Sequence, residues 1–116
     1  MKAAHKAVLR SLAVNDEVFV AQALRMHPSD VEPSGLDPKV HALVRLGASL
    51  ALDASWPSYQ RDVAAAIAAG ATEGEVIGVL LAVAPTVGLC RVISAAPRLS
   101  LALGYDVEAA LETLDD

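Results

Sequence analysis

Residues 72–90, Thr-Glu-Gly-Glu-Val-Ile-Gly-Val-Leu-Leu-Ala-Val-Ala-Pro-Thr-Val-Gly-Leu-Cys, decide how this chain folds. Thr72 followed three residues later by Glu75 is the pattern of a capping box. In it a hydroxyl accepts from the amide three residues on, and the carboxylate there reaches back to the first amide. Such a box opens a helix, and residues 76–90, which follow it, carry no charge. A run of this kind either spans a membrane or lies buried inside a helical bundle. A span needs about 18–20 apolar residues. This run is shorter, and Gly78, Pro85, Thr86 and Gly88 interrupt it. A central helix buried on every side is therefore predicted. Pro85, which lacks an amide donor, is expected to kink or end it.

Working outward, the preceding helix can be capped by Ser55 or Ser58. It runs through Tyr59, Val63, Ala66 and Ile67 and stops at Gly70, a left-handed C-terminal cap. The helix before that starts at Asp37 as N-cap with Pro38 in the first position. At about 100° per residue, Val40, Leu43, Val44, Gly47, Leu50 and Ala51 share its apolar face. His41, Arg45 and Ser49 follow at four-residue spacing along the other side. Towards the N-terminus, residues 2–13 form a helix. Asn15 is expected to cap a second one that carries Phe19, Val20, Ala23 and Leu24 and ends near Met26. Residues 27–35, rich in Pro, Ser, Asp and Gly, form a loop. On the other side a sixth helix is predicted from about Val87, bent or interrupted at Pro97. Asp106 caps a short last one, Val107–Leu114. No segment alternates with the period of a strand. The expectation is an all-α fold of about six to seven helices, a single domain over residues 1–116 in which residues 1–26 are an N-terminal hairpin.

Composition adds a constraint on assembly. Hydrophobic residues make up 54% of the chain but aromatics only 3%, so the apolar mass is Ala, Val and Leu, which suit closely packed helices. Charged residues, at 20%, are too few to cover the surface of a small domain, which implies a homo-oligomer. A net charge of −5 argues against a nucleic-acid partner, which needs a basic face. No Lys/Arg cluster suits an anionic membrane. Lys2, His5, Lys6 and Arg10 interrupt residues 1–12, unlike a signal peptide. The lone Cys90 excludes an intrachain disulfide and a cysteine-based metal cluster. No metal or cofactor is expected, and a cytoplasmic, soluble protein is.

Leu36-Asp37-Pro38-Lys39, an apolar helix and a short break come first in a recognisable order. Residues 64–72 (AAAIAAGAT) with their capping box, residues 79–82 (VLLA) and Gly88-Leu89-Cys90-Arg91 complete it. This series resembles the carboxymuconolactone decarboxylase family, which includes the alkylhydroperoxidase D-like proteins. The resemblance covers residues 36–103 and leaves the hairpin outside. It implies an alkylhydroperoxidase D-like helical bundle that assembles as trimers or hexamers.

The peroxidase branch of that family carries Cys-x-x-Cys-x-x-x-His. Those positions correspond here to Ser55, Ser58 and Asp62, and the branch's relay glutamate falls on or beside Ala42. Its chemistry needs one thiolate to attack peroxide and a second thiol to resolve the sulfenic acid. Serine does neither, and Cys90 stands alone, so dithiol peroxidase activity is not expected. The decarboxylase branch acts on a lactone that carries carboxylates and usually places histidine where Asp62 stands. Decarboxylation or a lactone proton shift needs a cation for the carboxylate and a group that moves a proton. Arg45 and Arg91 are candidates for the first; Asp62, His41 and Tyr59 for the second. The resemblance thus implies a small carboxylate- or lactone-bearing ligand.

Each candidate also has a plain structural explanation. His41 and Arg45 can form a polar stripe facing solvent or a neighbouring subunit, or the wall of a pocket at a subunit boundary. Asp62 can be half of an ion pair with Arg45 or Arg91, or a catalytic acid. Arg91, after an apolar helix, is expected near the bottom of a cavity. Tyr59 reads as a core residue, Trp56 as a lid or an anchor between subunits, and Cys90 as a small buried hydrophobe. A catalytically silent helical scaffold is the alternative to a ligand-binding protein.

Overall fold

The computed structural model describes residues 1–114, and all regular structure among them is helical. Seven α-helices are present: α1 (Ala3–Ala13), α2 (Glu17–Arg25), α3 (Pro38–Ala51), α4 (Trp56–Ala68), α5 (Glu73–Val87), α6 (Leu89–Ala102) and α7 (Val107–Leu114). A single 3-10 turn, Glu32–Ser34, lies in the loop between α2 and α3. The chain divides into two compact units, Met1–Ser34 and the part from Gly35 onward.

The first unit is a helical hairpin in which every residue of α1 and α2 keeps some exposure. Its turn corrects one expectation. Asn15 does not cap α2; it adopts φ +55 and closes α1, donating its amide to the Leu12 carbonyl at 3.3 Å, while Asp16 N–H reaches Ser11 at 3.0 Å. Asparagine tolerates the left-handed conformation that this ending requires. Asp16 is the true N-cap, its carboxylate accepting from the Phe19 amide at 3.0 Å.

In the second unit α3 packs against α4, α5 and α6, and α4 and α5 each pack against α6. The core consists of Ala42, Leu46 and Leu50 from α3, Tyr59, Val63 and Ala66 from α4, Val76 and Leu80 from α5, Ala95 and Leu99 from α6, and Ala71 between α4 and α5. The helix ends follow the sequence closely. Gly70, at φ +97, closes α4 with the paired bonds of a Schellman ending, Gly70 N–H to Ile67 O at 3.0 Å and Ala71 N–H to Ala66 O at 2.9 Å. The capping box at Thr72 is complete, with Glu75 N–H to Thr72 Oγ1 at 3.1 Å and Thr72 N–H to Glu75 Oε1 at 3.0 Å. The Thr72 amide first, and then Lys39 at 3.1 Å, hold the Glu75 carboxyl below its ordinary range. Pro85 lies in the last turn of α5, which continues to Val87 and ends at Gly88. α6 therefore starts at Leu89 rather than Val87, and it contains Pro97 without a break in its assignment. Among the described residues no helix is long and apolar enough to cross a membrane.

Two faces differ from expectation. The buried residues of α3 are Ala42, Leu46 and Leu50, whereas Val40 and Val44 are 43% and 57% exposed. The helix is turned so that Arg45 and Ser49 lie at the edge of the core, and its most apolar stripe is left open towards α5. There Val40, Leu43, Val44, Gly47, Val79, Ala82 and Val83 line an apolar groove of about 390 Å³. A Cβ at Gly47 would make only ordinary van der Waals contact, 3.5 Å from Val83 Cγ1. Cys90 is exposed rather than buried. At about 100° per residue it points roughly 140° and 180° away from Ala95 and Leu99, the buried residues of α6.

These orientations have a direct consequence for stability. Leu46→Ala is expected to cost about 2–5 kcal/mol, as for a fully buried leucine, and Val44→Ala at low protein concentration about 0.5 kcal/mol or less. Urea unfolding of the two variants checks this, and the reverse ranking would restore the face read from periodicity.

Candidate functional site

The candidate site is built on the first two turns of α4 and the middle of α3. Ser55 is the residue preceding α4, and its Oγ lies 3.3 Å from Ser58 Oγ. The two positions that the resemblance matches to the peroxidase thiols are therefore neighbours in space, and they hold hydroxyls that bond to each other. One turn further on, Tyr59 and Asp62 point inward, three residues apart on the buried face of the helix.

Asp62 is 2% exposed and is the buried charged residue of the described core. Three groups surround its carboxylate. Ser49, from α3, donates its hydroxyl to Oδ2. Arg45, one helical turn before Ser49, brings its guanidinium to 3.6 Å from Oδ1 with its side chain 22% exposed. Arg61, mostly in solvent, approaches Oδ1 at 3.9 Å. The cations balance the charge of Asp62, yet none is within hydrogen-bond distance of Oδ1, which is buried without a hydrogen-bond partner.

Tyr59 shares this condition: its hydroxyl is fully buried and unpaired. Burial chiefly, then the charge of Asp53, push its phenol above the ordinary 10.0, with Arg98 opposing and Asp62 adding to the rise. Tyr59 thus stays neutral and can donate a proton in a hydrogen bond throughout the physiological range.

Among the residues singled out from sequence, the fold brings Arg45 to Asp62 and places Tyr59 beside Asp62 on the same helix face. His41 is half-buried one turn before Arg45, and no contact with Asp62 links it to the cluster among the described residues. Arg91 is exposed and donates from its guanidinium to the carbonyl of Ala51, the last residue of α3. That bond supplies a cation and a donor to the negative end of α3, in place of the expected position deep in a cavity. Ser49 is the participant that received no role from sequence. Its signal was the four-residue spacing from Arg45, which puts both on one side of a helix. Trp56 is half-buried in the first turn of α4. Among the described residues no group of three or more His, Cys, Asp or Glu side chains could hold a metal ion.

Hydroxyls and a carboxylate at the start of α4 thus meet a guanidinium and a hydroxyl from α3 within an all-helical fold. The chain belongs to the carboxymuconolactone decarboxylase family, whose model matches residues 8–100. The match begins within α1, so most of the N-terminal hairpin lies inside the family region, which is wider than the 36–103 resemblance. No curated protein and no solved structure gives a match.

Arg45→Met is expected to destabilise the fold by about 2–3 kcal/mol, somewhat less than for a fully buried pair because Arg45 retains solvent contact. Tyr59→Phe, which removes an unsatisfied buried hydroxyl, is expected to be neutral or to stabilise by up to about 1 kcal/mol. It should also change the alkaline limb. With the native phenol raised, its contribution to stability is complete below the ordinary tyrosine range and is lost as pH rises through the native value. Urea titrations of wild type and Tyr59→Phe from neutral to alkaline pH test this, and parallel curves would contradict it.

Proposed function

We propose that this is a non-redox member of the family that binds a small carboxylate- or lactone-bearing molecule and acts on it by proton transfer, as a decarboxylase or isomerase. The observation that carries this reading is the pair of buried atoms without hydrogen bonds, Asp62 Oδ1 and Tyr59 OH, next to a cation. Each unsatisfied buried group costs about 1–3 kcal/mol, and a core selected for stability alone has cheaper solutions at both positions. Such groups cluster where a reaction needs them.

In this scheme Arg45 holds the carboxylate of the ligand. Its guanidinium reaches solvent, and among the described residues its N–H groups make no hydrogen bond. Asp62, directly beneath, exchanges a proton with the carbon or oxygen being transformed, and the neutral Tyr59 hydroxyl donates to negative charge that develops there. Ser49 fixes the carboxylate. His41, one turn from Arg45, is a further candidate for the ligand-facing wall, and Arg91 a second cation should assembly bring it near. The proposed protein is a cytoplasmic homo-oligomer, a trimer or hexamer, and the open apolar groove between α3 and α5 supports association of copies. Peroxide reduction through an intrachain dithiol has no residues to run on, because Cys90 is the one cysteine in the sequence.

A second reading, a catalytically silent helical scaffold, draws on a different observation. Asp62 already balances Arg45, and the α3/α5 groove is lined by apolar residues that belong to neither charged group. Thermal shift and calorimetry with succinate, benzoate and 5-oxotetrahydrofuran-2-carboxylate separate the two. Stabilisation by at least one carboxylate, lost in Arg45→Ala, is expected; no response from wild type favours the scaffold. With alkyl hydroperoxides and a dithiol donor no turnover is expected, and turnover that vanishes in Cys90→Ser would overturn the non-redox assignment.

A further inference from the structure

We infer that binding of a carboxylate at Arg45 and uptake of a proton by Asp62 are a single coupled event, so that the ligand itself converts Asp62 from a carboxylate into an acid. The inference rests on the reading of Arg45 as the ligand's cation and adds how the site is switched on.

Geometry makes the two charges of the resting site interdependent. Asp62 is almost wholly removed from water, and its Oδ1 depends on Arg45 at 3.6 Å and the solvated Arg61 at 3.9 Å for countercharge. Of the Arg45–Asp62 pair Arg45 is the partially exposed member, so an anion arriving from solvent reaches its guanidinium before the carboxylate. A carboxylate that takes two of its N–H groups in a bidentate pair draws the guanidinium outward and shares its charge. Asp62 cannot follow, because Ser49 holds Oδ2 and α4 is fixed in the core by Tyr59, Val63 and Ala66. A buried carboxylate deprived of its counterion takes up a proton rather than remain charged. The exchange balances. An ion pair, an incoming anion and a proton from solvent become an arginine–ligand ion pair and a neutral Asp62. The proton goes to Oδ1, the oxygen that accepts no hydrogen bond in the resting site.

The other charged groups around Asp62 do not take over the role of Arg45. Arg61 on α4 extends into solvent, where its charge is screened. Arg98 from α6 and Asp53, after α3, act with opposite signs on Tyr59. α5 presents Val76 and Leu80 to the core, and its Glu75 is paired with Lys39. His41, one turn before Arg45 on α3, is a rival site for the proton that the test must separate from Asp62.

The test is isothermal titration calorimetry of 5-oxotetrahydrofuran-2-carboxylate and of succinate into the full-length protein. It is run near neutral pH in phosphate and in Tris, whose ionisation enthalpies differ. Wild type is expected to take up close to one proton per protomer on binding, seen as a difference in observed enthalpy between the buffers. Asp62→Asn, which keeps the shape and removes the titration, is expected to bind the same probes with the buffer difference abolished. His41→Asn is expected to keep it. Binding with equal enthalpy in the two buffers overturns the coupling but leaves the carboxylate site standing. Uptake that survives in Asp62→Asn and disappears in His41→Asn overturns it as well, by placing the proton on the imidazole. Absence of binding by either probe to wild type overturns both this inference and the reading of Arg45 on which it rests.

Discussion

The arrangement of the main helical unit depends on a carboxylate kept away from water. An ionised Asp62 in a core made largely of Ala, Val and Leu would be several kcal/mol too expensive without compensation, so whatever packs against α4 at that level must supply charge and a hydrogen bond. α3 supplies both by presenting Arg45 and Ser49, one turn apart. That requirement sets the rotation of α3 about its axis. The residues that then fall inside are Ala42, Leu46 and Leu50, and the valines at 40 and 44 are turned out beside α5. One ion pair thus explains both the polar cluster and the apolar groove on the adjoining side.

The same cluster separates this chain from the redox chemistry found elsewhere in its family. Ser55 and Ser58 lie side by side, 3.3 Å apart between their hydroxyl oxygens. Hydroxyls of this kind neither attack peroxide nor form a disulfide. A carboxylate, a guanidinium, a hydroxyl and a phenol are gathered there instead, groups whose chemistry is that of charge and proton rather than of electron transfer. The unsatisfied Oδ1 and phenol oxygen both lie on the first two turns of α4. Cys90, exposed at the start of α6, stands apart from the serine pair in sequence and on another helix.

Much of this was legible before any coordinates. Helix ends are written in local chemistry. The box at Thr72, Pro38 after Asp37, Gly70 at a left-handed ending and Asp106 before α7 each act on the backbone a few residues away. The Asn15–Asp16 pair was harder, because both residues can cap and only the turn geometry divides the work between them. Asp62 stood out as a charge on an alanine-rich face, and Arg45 as one of two cations able to reach it. Periodicity ranked the faces of α3 wrongly because it scores how apolar a stripe is. It does not register which partner the stripe meets, and a face open in one protomer is as apolar as one buried inside it. Cys90 misled for a similar reason: its residue type favours burial, but its angular position on α6 does not.

By itself, then, the sequence determined the all-α class, most of the helix ends and the absence of a second cysteine, since each depends on residue identity or on contacts within a few positions of the chain. The tertiary structure alone decided which arginine faces Asp62, that Ser49 joins it, that Arg91 instead closes the end of α3, and that Tyr59 Oη and Asp62 Oδ1 are left without partners. These are matters of helix rotation and of distance between segments remote in sequence. They are settled only when helices pack and a buried charge must find its compensation in space.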